Sequence, residues 1–350
     1  MTSTSVTRRE FLCGSAIGGS VVALGGARLA AQAAQPSKPP QSPQRMKLGL
    51  YTITFLGCWY RGRGLTMEEM IQRAKQYGYE GIEIEGKRPH GNPLDWPTKR
   101  CKETRALAED QGVPIYGVAA LNDFSSPICE HREAQLVCVR DLIRMASDLG
   151  ADKVRIFLAW SGITRHPQLG NYAIARDVWQ YTHKEFTPEQ IWDYCRECLI
   201  ESARYAGDYG VTLALQNHAP VIRTYKDMLR MIQEVNSPHL KACLDPDIEP
   251  NGEKEGVLVA AAKDVGNLQV LSHFGGEYDR TADGKITGGD KHFAFVQGMK
   301  DIGYTGYIGY ELCHPLPKVN GETVGLEFAE NNAQLAAEHM RELIRHHYGA

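Results

Sequence analysis

The chain has 350 residues, with 39 basic against 42 acidic side chains and a formal charge of −3. That mildly acidic balance argues against nucleic acid as a partner, because binding to phosphate backbones depends on clustered Lys and Arg. With 43% hydrophobic residues over this length, the chain can bury a sizeable core without relying on disulfides.

The first element in chain order is a targeting segment. Thr7-Arg8-Arg9-Glu10-Phe11-Leu12 places two arginines ahead of apolar residues, and a Gly/Ala/Val-rich run extends from Gly14 to Ala30. This layout belongs to targeting and not to fold, and the arginine pair resembles a twin-arginine export signal. Ala31-Gln32-Ala33-Ala34 offers a cleavage site, which divides the chain into a signal peptide over 1–33, a linker over 34–45 and a single domain over 46–350. Arg28 interrupts the apolar run, so no stable membrane anchor is expected after cleavage, and the mature protein is expected in the periplasm. Cleavage removes Arg8, Arg9, Arg28 and Glu10, taking the formal charge to −5. Cys195-Arg196-Glu197-Cys198 lies within a helical pattern with no preceding strand and is read as ordinary helix positions rather than redox or zinc chemistry.

After Arg45, short runs of Val, Ile and Leu alternate with longer amphipathic stretches. Strands are predicted at 47–53, 80–85, 114–119, 153–158, 211–216, 240–245, 267–273 and 307–312, with helices between them and a last helix from Leu326 to His346. Glycine repeatedly marks the handover from helix to strand, as in Tyr77-Gly78-Tyr79, Leu149-Gly150-Ala151 and Tyr209-Gly210-Val211. YGYEGIEIE from Tyr77 and IGYTGYIGYE from Ile302 are near copies, as a repeated unit would leave them. Eight strand-helix units predict an α/β fold, a single (β/α)8 TIM barrel. The alternative is an open doubly wound sheet, but the first strand lacks a G-x-G-x-x-G turn and leads instead into an aromatic loop through Trp59 and Tyr60.

In such a barrel, function sits at the C-terminal ends of the strands. The last four predicted strands end in Gln216, Asp245, His273 and Glu311. Two residues before each, on the same face, stand Ala214, Cys243, Leu271 and Gly309. An amide oxygen, two carboxylates and an imidazole converging on one axis suit one hard or borderline divalent ion such as Mn²⁺, Mg²⁺, Co²⁺ or Zn²⁺.

LALQNH, CLDPDI, LSHFGG and YIGYELCH occur in that order. With the repeat pattern, they resemble the sugar phosphate isomerase/epimerase superfamily, with its xylose isomerase-like barrel, over the whole chain from Met46. The resemblance implies a metal held by Glu, Asp, His and Glu after strands five to eight, with both glutamates moving protons beside a carbonyl. Asp245, His273 and Glu311 match that pattern. Gln216 stands where the first glutamate belongs, with Asn217 and His218 retained beside it. An amide can lend its oxygen to a metal but cannot serve as a proton base, so Glu311 is the expected base, with His218 and Glu83 as candidates for the missing proton transfer.

The implied partner is a small carbohydrate, contacted by His218, Asn217, Glu83, Asp247, Glu277, Arg280 and Trp160. Asp247 replaces a substrate-contacting histidine of the family. Glu83 and Glu85 share a strand parity, and Arg155 with Trp160 is expected to shape the pocket. The long segment from Trp160 to Phe186 is expected to form a lid or an interface. The expected activity is isomerisation or epimerisation of a sugar. The alternatives are β-elimination from a 3-keto sugar derivative, which can proceed with one base, and a non-catalytic sugar-binding barrel. Monomer and homo-oligomer are equally compatible with the sequence.

Overall fold

The computed structural model describes residues 44–165 and 169–349; the expected export signal, and the expected linker up to residue 43, lie outside the described residues. Eight parallel strands form a closed barrel. They are β1 (Lys47–Tyr51), β2 (Gly81–Glu85), β3 (Ile115–Ala120), β4 (Lys153–Ile156), β5 (Thr212–Gln216), β6 (Leu240–Leu244), β7 (Gln269–Gly275) and β8 (Tyr307–Glu311). Each strand pairs with its neighbours in chain order, and β8 returns to β1 with Leu48 opposite Ile308 and Gly49 opposite Gly309. The fold is the predicted (β/α)8 barrel, with strand boundaries within a few residues of the expectation.

Local signals start and stop the surrounding helices. Thr66 and Glu69 form a reciprocal capping box at the start of the helix Met67–Tyr77, and Gly78 ends it at φ 77°, a left-handed conformation that glycine adopts without strain. Thr187 with Gln190, and Thr224 with Asp227, cap Pro188–Asp208 and Tyr225–Val235 in the same way. Cys195 and Cys198 are buried positions of the first of these two helices, free of disulfides. No described helix is long and apolar enough to cross a membrane.

The barrel interior changes character along its axis. Near the N-terminal ends of the strands, the ring of Tyr116 stacks on Tyr307 with centroids 4.0 Å apart and packs with Ala214, Cys243 and Leu271. This plug requires glycine on β1 and β8: a Cβ at Gly49 would lie 2.3 Å from the Tyr116 hydroxyl oxygen, and one at Gly309 would lie 2.7 Å from it. Two residues further along β5, β6 and β7, a rise of about 7 Å, Ala214 gives way to Gln216, Cys243 to Asp245 and Leu271 to His273. The apolar layer thus supports a charged one from below.

Candidate active site

His273 on β7 is fully buried, and its two ring nitrogens face different partners. Nε2 lies 2.6 Å from Oε2 of Glu83 on β2. Nδ1 lies 3.4 Å from Oε2 of Glu311 and has no hydrogen-bond partner among the described residues. In the neutral ring, a proton on Nε2 donated to Glu83 would leave the Nδ1 lone pair directed at the space shared with Asp245 and Glu311. Donor atoms of Asp245, His273 and Glu311 all lie within 4.8 Å of one another.

Arg155 on β4 crosses the barrel above the plug, only 2% exposed. Its Nε donates to Glu83 Oε1 at 3.0 Å and its Nη1 to Gln216 Oε1 at 3.0 Å, and Nη1 stands 3.5 Å from Glu311 Oε2. The guanidinium lies 4.3 Å from the ring centre of Tyr51 and 5.0 Å from that of Phe157, within cation–π distance for a weakly hydrated cation. Gln216 turns its other end to Asp245, donating from Nε2 to Oδ2 at 2.8 Å. The amide oxygen predicted to face a metal is therefore held by Arg155, and Gln216 meets the candidate ligand set as a donor to Asp245.

The electrostatics follow from these neighbours. Burial alone would raise the Glu311 and Glu83 carboxyls, but His273 and Arg155 outweigh it and hold both below the usual carboxylate range. Burial and Arg155 oppose charge on His273, yet Glu83 and Glu311 lift it to about 9. For Asp245 the balance tips the other way: burial, Glu311 and Asp247 outweigh the opposing pull of His273 and raise it to about 7. A buried carboxyl short of positive charge, next to an unpartnered imidazole nitrogen, is the environment a divalent ion satisfies. Asp245, His273 and Glu311 thus fit an ion with three protein donors, leaving positions for other oxygen ligands.

A cavity of about 420 Å³ opens above this layer. Tyr51, Phe157, Trp160, Tyr172 and Trp179 form much of its apolar wall, and Glu85, Arg155, Gln216, His218 and Glu311 supply polar groups. Of the three candidate metal donors only Glu311 lines it. His218 donates from Nδ1 to the Ala219 carbonyl at 2.6 Å, which leaves Nε2 as the acceptor nitrogen, and burial lowers its pKa. Phe157 and Trp160 bracket its ring at 4.9 and 5.4 Å.

The other predicted residues take different places. Asn217 clasps the next strand tip, donating to the Asp245 carbonyl at 3.1 Å and accepting from the Asp245 N–H at 2.8 Å, so it aims a ligand and does not line the cavity. Asp247 is drawn away by Lys291 and His292, each 3.1 Å from a carboxylate oxygen, and accepts from Gly275 N–H at 2.6 Å. Glu277 pairs with His314, and Arg280 with Glu338. The hairpin Asp279–Arg280 with Ile286–Thr287 carries Arg280 outward, and neither residue lines the cavity, in contrast to the substrate-contacting roles expected from the sequence. Glu83 lies beneath the cavity, committed to Arg155 and His273.

Glu85 pairs with Lys87 at 2.8 Å and accepts from the Tyr51 hydroxyl. The segment after β4 roofs the cavity with the helix Ala173–His183. Trp179 donates to Ser125 Oγ at 2.8 Å and Tyr172 to the Cys313 carbonyl at 2.5 Å, fastening the roof to the loops after β3 and β8.

Residues 71–344 match the family described as the xylose isomerase-like TIM barrel, most of the described domain. Fructoselysine 3-epimerase of Shigella flexneri is 27% identical over 274 residues, spanning 76% of this chain and 88% of that protein. Among solved structures, D-psicose 3-epimerase crystallised with D-fructose superposes with a TM-score of 0.62 at 15% identity, covering 87% of this chain and all of that one. The 3-keto-D-glucoside 4-epimerase of E. coli in its apo form gives 0.61 at 18%, over 85% and 100%. The IOLI protein with a bound zinc atom gives 0.61 at 16%, over 87% and 100%. The chain belongs to the xylose isomerase-like TIM barrel family.

Proposed function

We propose that this family member is a metal-dependent sugar isomerase or epimerase that works by removing the proton beside a carbonyl. The observation that carries the reading is the convergence of Asp245, His273 and Glu311 beneath one cavity; the 27%-identical fructoselysine 3-epimerase supports the reaction class. A divalent ion held by these three residues would polarise the carbonyl and stabilise negative charge on oxygen.

The chain's own groups divide the remaining work. Glu311 reaches the cavity as a carboxylate and takes the proton from the substrate carbon. His218 follows the strand that carries Gln216, presents Nε2 as its acceptor nitrogen and exchanges a proton on the other side. Glu83, the other candidate for that task, is bound on both carboxylate oxygens. The aromatic wall gives the apolar faces of a sugar a surface to stack on, and the roof helix excludes water.

Incubation with ketoses in D₂O and Mn²⁺, followed by proton NMR, tests the reading. Loss of the signal beside the carbonyl, abolished in E311Q, is the expected outcome; no exchange with any ketose or keto-glycoside leaves a sugar-binding barrel. One observation favours a second reaction. Gln216 has no basic atom and is engaged at both ends, and β-elimination from a 3-keto sugar derivative runs on Glu311 alone; an enone absorbance in the same assay identifies it. We further read the Arg8-Arg9 segment as an export signal, which cell fractionation of the full chain and of an R8K/R9K variant tests.

A further inference from the structure

Three basic side chains line the cavity. Lys87 is paired with Glu85, and Arg176 stands on the roof helix. Arg155 alone belongs to the floor, where it is held on several sides at once. Nε and Nη1 are bonded to Glu83 and Gln216, Nη1 faces Glu311, and Cζ lies over the rings of Tyr51 and Phe157. A guanidinium has five N–H donors, and Nη2 meets no acceptor among the described residues. A cation fixed through Nε and Nη1, in a side chain that lines a ligand cavity, keeps its two Nη2 N–H groups for a developing negative charge.

Gln216 belongs to the same device. Its carbonyl oxygen accepts from Arg155 while its nitrogen donates to Asp245. A carboxylate could accept from Arg155 but not donate to Asp245, so a glutamate here would set a second negative charge against it. The neutral residue at this strand tip and the arginine on the adjacent strand are therefore complementary parts of one arrangement.

We propose that Arg155 is a catalytic residue whose Nη2 N–H groups bind the substrate carbonyl oxygen and the oxyanion formed from it, with Gln216 as the positioning residue that fixes the guanidinium. The proposal rests on the proton-abstraction reading above. Glu311 takes the proton, the C–H electron pair becomes the carbon–carbon double bond, and the carbonyl π pair moves to oxygen, where Arg155 meets it. Returning the proton to carbon reverses those shifts, and the guanidinium stays protonated throughout.

The test compares wild type, R155K and R155A in Mn²⁺-containing buffer by two readouts, deuterium exchange into substrate and calorimetric binding of glycolohydroxamate, an anionic enediolate mimic. R155A also strips Glu83 of its counter-charge, so the R155M/E83Q double variant, which removes both charges, accompanies it, with melting curves for all. R155A and the double variant are expected to lose about 10²–10³-fold in kcat with much less change in KM, and to bind glycolohydroxamate more weakly by a similar factor. Millimolar guanidinium chloride is expected to restore part of the R155A rate, and R155K, with a point charge for a planar fork, to recover little.

Exchange and hydroxamate binding that survive in R155A overturn the proposal and leave the proton-abstraction reading standing. A lost rate with no guanidinium rescue and unchanged hydroxamate affinity overturns it too, assigning Arg155 to structure. A wild type that exchanges no ketose proton yet binds glycolohydroxamate only through Arg155 removes the epimerase reading and supports the oxyanion contact.

Discussion

The two halves of the barrel serve the centre differently. Strands β5 to β8 deliver Gln216, Asp245, His273 and Glu311 from their own tips, one per strand, in chain order. Strands β1, β2 and β4 contribute Tyr51, Glu83 and Arg155, and these hold what the other half presents. Glu83 fixes the tautomer of His273, Tyr51 stacks on the same imidazole with centroids 5.4 Å apart, and Arg155 grips Gln216 and faces Glu311. The candidate ion ligands come from one half and most of the contacts that orient them from the other, with the Arg155–Gln216 hydrogen bond joining the two, so a change in either is felt at the same atoms.

The largest way to break this division is in the second half. Glu311→Gln keeps the shape of the side chain and removes the base, and the rate of exchange into substrate should fall about 10²–10⁴-fold with the melting temperature nearly kept. The matching change in the first half should show the reverse signature. Glu83→Leu leaves Arg155 buried with less compensation and His273 without its carboxylate, and should cost about 3–5 kcal/mol of stability, read by urea unfolding. A Glu83→Leu/Arg155→Met double variant should recover part of that loss; if Glu83→Leu melts like wild type, the first half is not the support described here.

A pH titration of stability probes the first half away from the charged layer. His90, in the loop after β2, is 1% exposed and contacts the Leu65 carbonyl at 2.9 Å, tying that loop to the one after β1. Burial lowers its pKa from 6.5 to about 4. The unfolded chain therefore binds the extra proton between those values, so this contribution is complete above pH 6.5 and shrinks as pH falls toward 4, by on the order of 3 kcal/mol. His90→Gln should flatten the stability profile across that window, and an unchanged slope would exclude His90 as its source. The smallest expected effect returns to the second half. Asn217→Ala removes the clasp on Asp245 and the bond to Glu249, costing about 1–3 kcal/mol and weakening Mn²⁺ binding in a calorimetric titration.

The same two halves explain what could be read from sequence. Strand-end Asp, His and Glu are conspicuous because a polar residue closing an apolar run has few ordinary reasons to be there, and the regular spacing put all four on successive strands. In the sequence Arg155 reads only as a pocket-shaping residue. Its signal is a charge between Val154 and Ile156 in a strand covered on both faces, where an unpaired cation is too costly to keep, but sequence does not say which acid across the barrel pays that debt. Glu83 and Glu85 were linked by parity, and their fates differ because Lys87 reaches one and Arg155 the other. The family resemblance implies substrate contacts for Glu277 and Arg280, and a two-residue antiparallel pairing that periodicity cannot detect turns that segment outward. Asp247 sits two residues past Asp245, yet Lys291 and His292, more than forty positions on, decide where it points.

The apolar plug around Tyr116 sets a further condition on the molecule. With Tyr116 and Tyr307 stacked across the N-terminal end of the barrel and Gly49 and Gly309 leaving no side chains to loosen them, traffic to the charged layer is confined to the roofed end. Substrate, product and any exchangeable ion must then share one doorway and queue for it, so a bound sugar also acts as a stopper, and the order in which the guests leave becomes a property of the architecture as much as of their individual affinities.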